Sequence, residues 1–209
     1  MAKLQLEDVN PEAGSHPVPS HEGTLIASLE AGRLACEQWT YLRERFGERG
    51  LRFSQSDGAW IAAVAQRPLP DVQKEMRWLR MTLSRRGMPH IIIQTFVEAY
   101  CRLMTNDTTA DESLERLRGV AQEWTEARLG FMASSFGRKW GEAMSLLAAP
   151  LPNPRAQEAI ALLAAALVDE QAGVRDAYRE VAAWLGSAWW GDERFVDQLL
   201  DLRRSLGHQ

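Results

Sequence analysis

The sequence predicts an all-α protein, built as a single-domain bundle of about seven or eight helices. Apolar residues recur three and four positions apart along most of the chain, as they do on one face of a helix. The alternation of apolar and polar residues that marks a strand is absent. Breaks rich in proline and glycine divide the chain into segments of helical length.

Length and composition are ordinary for a globular protein. The 209 residues are enough for one domain with a substantial core, and 45% are hydrophobic while 25% are charged. We expect residues 1–22, which contain three prolines, to form a flexible tail and residues 23–209 to form a helical domain. The Pro-Leu-Pro-Asn-Pro segment near 149–154 is a second break, at which this domain could be subdivided.

Two helices are expected before the centre of the chain. The first runs from Thr24 to Phe46 and ends at Gly47. The second is short: Ser56 and Asp57 would cap its start, and the prolines after residue 67 would stop it.

The central segment 71–104 predicts two helices joined by a tight turn at 87–89. Asp71 is suited to cap the first helix. Gly87 can take the left-handed conformation that ends a helix, and Pro89 fits the start of the next one.

The first of these central helices carries apolar residues on the face that should be exposed to solvent. Lys74, Arg77 and Arg85 lie opposite the apolar stripe, and Trp78 and Met81 fall among them. One alternative is that Trp78 packs under another helix of the same chain, with arginine stems lying over it. The other is that these five residues bind a partner or an anion.

The same segment is locally basic. Residues 74–86 contain five cations, Arg80 and Arg86 included, and one acid, which gives a local charge of +4 in a chain of net charge −4. Nucleic-acid contact is therefore a weaker hypothesis, since the chain as a whole is acidic and lacks a recognised binding motif.

Three further helical segments are expected after the centre. One begins near Thr109, is kinked or interrupted at 134–137 and resumes to Leu147. A long helix starts at Asn153 and continues to Gly186, and a last amphipathic helix ends at Gly207. Between these two, Trp189 and Trp190 lie in a break, where they either anchor a partner or close the core.

Motifs for metal or cofactor binding are missing from the sequence. There is no Glu-x-x-His, Cys-x-x-Cys or His-Glu-x-x-His, and no glycine-rich phosphate loop. No cofactor is implied by motifs. These absences favour a protein that is not an enzyme.

An alternative is a pocket for a small molecule or tetrapyrrole, lined by His90, Tyr100 and Cys101. The start of a helix would keep His90 neutral, so it could ligate haem or act as a base, or it could simply be hydrogen-bonded in the fold. Because Cys101 has Val97 and Met104 as helical neighbours, an inert core thiol is favoured over a nucleophile.

The segment Leu29-Glu30-Ala31-Gly32-Arg33-Leu34, followed by Trp39 and Tyr41-Leu42, resembles the opening helix of the haem-oxygenase-like helical fold. The resemblance implies an enzyme that handles a tetrapyrrole. The metal and haem ligands of that group have no counterpart in this sequence.

We therefore expect a non-enzymatic helical interaction module with a regulatory or accessory role, acting through a protein partner or a homo-oligomer. A cytoplasmic location is expected, because the two cysteines lie in apolar helical patterns and no signal or membrane-spanning run is evident.

Overall fold

The computed structural model describes residues 5–16, 18–105 and 111–207. It confirms the all-α prediction, with 81% helix and, in this described part of the chain, no strand. The described residues form ten α-helices rather than seven or eight. They are α1 (Leu6–Val9), α2 (Glu22–Gln38), α3 (Thr40–Val64), α4 (Leu69–Ser84), α5 (His90–Leu103), α6 (Asp111–Ala133), α7 (Ser135–Ala148), α8 (Asn153–Gln171), α9 (Ala177–Leu185) and α10 (Glu193–Gly207), with a π-helical turn at Gly186–Trp190.

The larger number of helices has local causes. The long helix expected after Asn153 is two helices, because Gly173 and Asp176 adopt left-handed backbone angles, with φ of 93° and 62°. Ser134 is extended and its side chain caps α7 by accepting from the Gly137 N–H at 2.9 Å, which separates α6 from α7.

The N-terminal residues include a helix where a tail is predicted. α1 contacts α3, and the side chains of Leu6 and Asn10 are buried. The Asn10 amide donates to Ser56 Oγ at 3.2 Å, and Glu12 forms an ion pair with Arg49 at 2.8 Å. Residues 1–4 and 17 of the predicted tail lie outside the described residues, and the division into tail and domain stays a prediction.

The first helix of the predicted bundle ends earlier than expected, at Gln38 rather than at Gly47. Trp39 is extended, with φ −105° and ψ 107°, and its indole N–H donates to Thr95 Oγ1 at 3.0 Å. Helix α3 then continues past Gly47, where the backbone kinks with φ 55° and ψ −144°. The short helix expected from Ser56 is therefore the second half of α3.

Replacing Gly47 with alanine is expected to lower the free energy of unfolding by about 1–3 kcal/mol, because these backbone angles are nearly exclusive to glycine. No atom lies within 4 Å of the added Cβ, so the effect would be conformational and not a clash. Gly119→Ala is the matched control, since Gly119 lies inside α6 with equally open space. It should leave stability unchanged or raise it by up to about 1 kcal/mol. Urea unfolding of both variants checks the difference.

The chain forms two compact units, and the boundaries between them fall inside α4, α5 and α6. Unit 1 comprises residues 1–79 and 92–122. Its centre is the α2–α3 pair, which approaches closely because Gly32 lies against the backbone of Ser54 and Gly58 against the backbone carbonyl of Ser28. A Cβ at either glycine would lie under 3 Å from these atoms.

Unit 2 comprises residues 80–91 and 123–209. In it α8 contacts α7 and α9, and α10 packs on α7, α9 and the π-helical turn. Residues Leu162 to Asp169 of α8 are all buried. Among the helices of the described residues, none is both long and apolar enough to cross a bilayer.

Candidate functional site

An exposed tryptophan on α4 is the clearest surface feature of unit 1. The buried face of this helix is formed by Val72, Met76 and Leu79. Trp78 lies off that face with 55% of its surface exposed. Its ring is 5.8 Å from the ring of Trp60 on α3, at an interplanar angle of 56°. Trp78 thus touches another helix of its own unit and still presents more than half of its surface, while the binding of a partner or an anion stays a prediction.

Two cations flank this aromatic pair. Lys74 and Arg77 are exposed, and Lys74 lies one helical turn before Trp78. Within the residues that the structure describes, neither cation forms an ion pair, whereas Glu75 pairs with Arg67 at 3.5 Å. Trp60, Lys74, Arg77 and Trp78 are called the Trp78 face below.

The remaining residues of the predicted α4 surface belong to unit 2. Met81 is half-buried, and Arg85 is exposed in the turn after α4 ends at Ser84. Arg80 differs from the expectation, because it is 8% exposed and binds a buried carboxylate. The basic segment 74–86 therefore presents one cation fewer to solvent than its sequence indicates.

The tryptophans at the π-helical turn have contrasting environments. Trp189 is 7% exposed, packs edge-on against Trp184 and lies under the Arg155 guanidinium, 5.6 Å from the ring centre. Trp190 is half-buried; its indole N–H donates to the Leu147 carbonyl at 2.9 Å and its ring stacks on Phe195. Both rings are thus held within unit 2, and Trp189 lacks the exposure that a docking anchor requires.

The most polar buried region of unit 2 centres on Asp169, near the end of α8. Its carboxylate accepts four hydrogen bonds and has no solvent exposure. Oδ1 accepts from Arg80 Nε at 2.6 Å and from His90 Nδ1 at 2.9 Å. Oδ2 accepts from Ser84 Oγ at 2.7 Å and from the backbone N–H of His90 at 3.0 Å. One side chain therefore holds the last residue of α4 and the first residue of α5.

The other nitrogen of His90 faces a cation. Arg128 Nη1 lies 3.4 Å from His90 Nε2, and the ring of Trp124 meets the imidazole edge-on at 6.0 Å. Trp124 also lies under the Arg80 guanidinium, at 5.7 Å. Since Nδ1 donates to the Asp169 carboxylate, Nε2 carries a lone pair that can accept from Arg128. This arrangement requires the neutral imidazole.

The electrostatics agree with a neutral histidine beside an ionised aspartate. Burial lowers the pKa of His90; the bond and charge of Asp169 oppose this, and the charges of Arg80 and Arg128 add to it, so that the pKa lies below its ordinary value. Burial raises the pKa of Asp169, but the hydrogen bonds from His90 and the positive charge of Arg80 outweigh it and hold this pKa below its ordinary value.

This cluster has the residue types of a hydrolase triad but not the geometry. Ser84 Oγ donates to the carboxylate and not to the imidazole, so the histidine has no hydroxyl to activate. Asp169 and His90 are fully buried, and both imidazole nitrogens have protein neighbours within hydrogen-bonding distance. His90 is thus hydrogen-bonded in the fold, as one of the alternatives for it anticipated.

Tyr100 and Cys101, the other two residues of the hypothetical pocket, lie in unit 1. Tyr100 is fully buried and stacks on Phe96 with a ring distance of 6.0 Å. Cys101 is buried beside the Leu114 carbonyl, and burial raises the pKa of its thiol to about 11, so it stays protonated at neutral pH. The pocket itself stays a prediction.

Sequence reasoning selected His90 but missed Asp169 and Arg128. The signal for Asp169 was its position directly after the seven apolar residues of Leu162–Val168. A carboxylate that directly follows such an apolar run is buried with its helix, and a buried carboxylate requires hydrogen-bond donors from the surrounding residues. Among the described residues, no three histidine, cysteine or acidic side chains are grouped as metal ligands would be.

Comparison with known proteins finds no matching family model, no similar curated protein and no similar solved structure. The function proposed below therefore depends on the geometry of the described residues.

Proposed function

We propose that this chain is a non-enzymatic helical interaction module, acting through protein–protein contact in a regulatory or accessory role. The exposure of Trp78 is the observation that supports this most directly. Tryptophan is the residue type most enriched at energetic hot spots of interfaces, and a ring with 55% of its surface exposed is available to a partner.

The position of Trp78 separates it from the core. Helix α4 is anchored in unit 1 by Val72, Met76 and Leu79, which are at most 5% exposed. The contact with Trp60 holds the indole in place, while 55% of the surface of Trp78 stays exposed. A ring held in this way loses little conformational freedom on binding, which favours its use as an anchor.

The flanking charges indicate the chemistry of the partner. Lys74 and Arg77 are exposed cations with no ion pair among the described residues. We therefore infer a protein segment that places an apolar side chain on Trp78 and carboxylates opposite the two cations. Such rim charges chiefly raise the association rate, so binding should weaken as salt rises.

Position-specific photo-crosslinking in the native host tests this proposal. A benzoylphenylalanine at position 77 would lie beside Trp78, and one at position 146 is the control, since Leu146 is 78% exposed on α7. We expect a protein adduct at position 77 that disappears when Trp78 is replaced by serine, and that position 146 does not yield.

Two results would count against the proposal. One is the same adduct from both positions, which would show that an abundant protein reacts with any exposed position and does not recognise Trp78. The other is an adduct at position 77 that persists in the Trp78→Ser variant. Thermal unfolding of that variant should match the wild type, because the substitution leaves the buried face of α4 intact.

A further inference from the structure

The turn between α4 and α5 is held by one carboxylate. Asp169 Oδ2 binds Ser84 at the end of α4 and the backbone N–H of His90 at the start of α5. The backbone N–H of a first helical residue has no partner within its own helix, so Asp169 acts as a cap supplied from α8. Asp169 therefore fixes the position of the His90 imidazole as well as the turn.

The groups around the imidazole make it sensitive to a proton. Asp169 faces it from α8, Arg80 and Ser84 lie beside the same carboxylate on α4, and Arg128 and Trp124 face it from α6. With a neutral His90 these groups carry two positive charges and one negative charge. A protonated His90 would add a third positive charge where the histidine and aspartate side chains have no exposure.

In the part of the chain that the structure describes, no hydrogen-bond acceptor faces the position that a second proton on the imidazole would take. Nδ1 already donates to Asp169, so the proton would enter at Nε2, which lies 3.4 Å from the Arg128 guanidinium. An N–H would then point at a group that has donors only. The imidazole and the guanidinium cannot both keep their positions after protonation.

We propose that His90, Arg128 and Asp169 form an acid-sensitive latch, in which Asp169 keeps the imidazole in place and a proton at His90 Nε2 drives the Arg128 guanidinium away from it. The proposal is independent of the Trp78 face. It assigns to the one histidine in the middle of the chain a role that needs no ligand.

The direction of the pH dependence follows from the lowered pKa of His90. The unfolded chain takes up a proton near pH 6.5, and the folded chain takes it up only at lower pH. The contribution of neutral His90 to stability is thus complete above about pH 6.5 and is lost as pH falls toward the folded pKa. In that window the unfolding equilibrium constant should rise by up to about tenfold per pH unit.

NMR titration of the full chain is the test, followed through the His90 ring protons and the Nε–H of the Arg128 guanidinium. In the wild type we expect a ring midpoint below about 6.5, with the Arg128 Nε–H signal moving at the same pH. Arg128→Gln should raise the ring midpoint toward the ordinary histidine value, because it removes the opposing charge. Arg128→Lys keeps that charge and should titrate as the wild type does.

Three results would overturn the latch. The first is a wild-type midpoint at or above the ordinary histidine value. The second is an Arg128→Gln midpoint equal to that of the wild type. The third is an imidazole that titrates while the Arg128 Nε–H signal stays unchanged. If Arg128→Gln does not fold, the wild-type and Arg128→Lys titrations still decide the first and third points.

Discussion

Replacing Asp169 with alanine is expected to lower the free energy of unfolding by about 3–5 kcal/mol. The substitution leaves the Arg80 guanidinium, which is only 10% exposed, without its carboxylate. It also leaves Ser84 Oγ and the His90 backbone N–H without the acceptor that they share. Chemical denaturation at pH 7.5, where His90 is neutral, measures this loss of unfolding free energy without a contribution from protonation of His90.

The exposed pair of Asp201 and Arg204 provides the matched control. These side chains are 69% and 63% exposed and 2.6 Å apart. Asp201→Ala removes an ion pair of the same length that is exposed to solvent. The free energy of unfolding should therefore match that of the wild type within error. A loss for Asp169→Ala below about 1 kcal/mol would mean that the buried carboxylate is not needed to neutralise Arg80.

The two charges can also be removed together. The double variant Arg80→Met, Asp169→Leu leaves no unpaired ion, so it should lose clearly less stability than the sum of the two single variants. Additive losses would show that Arg80 and Asp169 stabilise unit 2 independently of each other.

Trp140→Ala is expected to cost about 3–5 kcal/mol of unfolding free energy, through the cavity it leaves. Trp140 is fully buried on α7, and its ring packs edge-on against Phe131 at 5.9 Å. Equilibrium urea unfolding measures the effect, and Trp140→Phe should lose less because it keeps an aromatic ring in contact with Phe131.

Leu146→Ala, on the same helix, is the control for this variant. Leu146 is 78% exposed, so its truncation should change the free energy of unfolding by less than about 0.5 kcal/mol. If Trp140→Ala lost no more than Leu146→Ala, α7 would not pack on unit 2 through the face that contains Trp140.

Local chemistry explains which parts of the fold the sequence predicts well. The turn between α4 and α5 is one of them: Gly87 is left-handed with φ 77°, as its place after a helix indicates. Val72, Met76, Leu79 and Leu83 are at most 9% exposed, as their three- and four-residue spacing predicts. These features depend on residues only a few positions apart.

The features that the sequence did not predict depend on distant partners. The break at Trp39 accompanies a hydrogen bond to Thr95, 56 positions along the chain. Arg80 looks like a surface cation in its own helix, and only Asp169, 89 positions away, explains its burial. A single sequence carries no record of such pairings. His90 was therefore the one member of the buried cluster that the sequence marked as a candidate site residue.

The affinity of Trp78→Ala for the protein captured at position 77 tests the proposed function most directly. Calorimetric titration of the purified proteins should give a dissociation constant at least tenfold above that of the wild type, as for a hot-spot residue. Leu146→Ala should bind within twofold of the wild type. A Trp78→Ala affinity within twofold of the wild type would contradict the assignment of the Trp78 face as the binding surface.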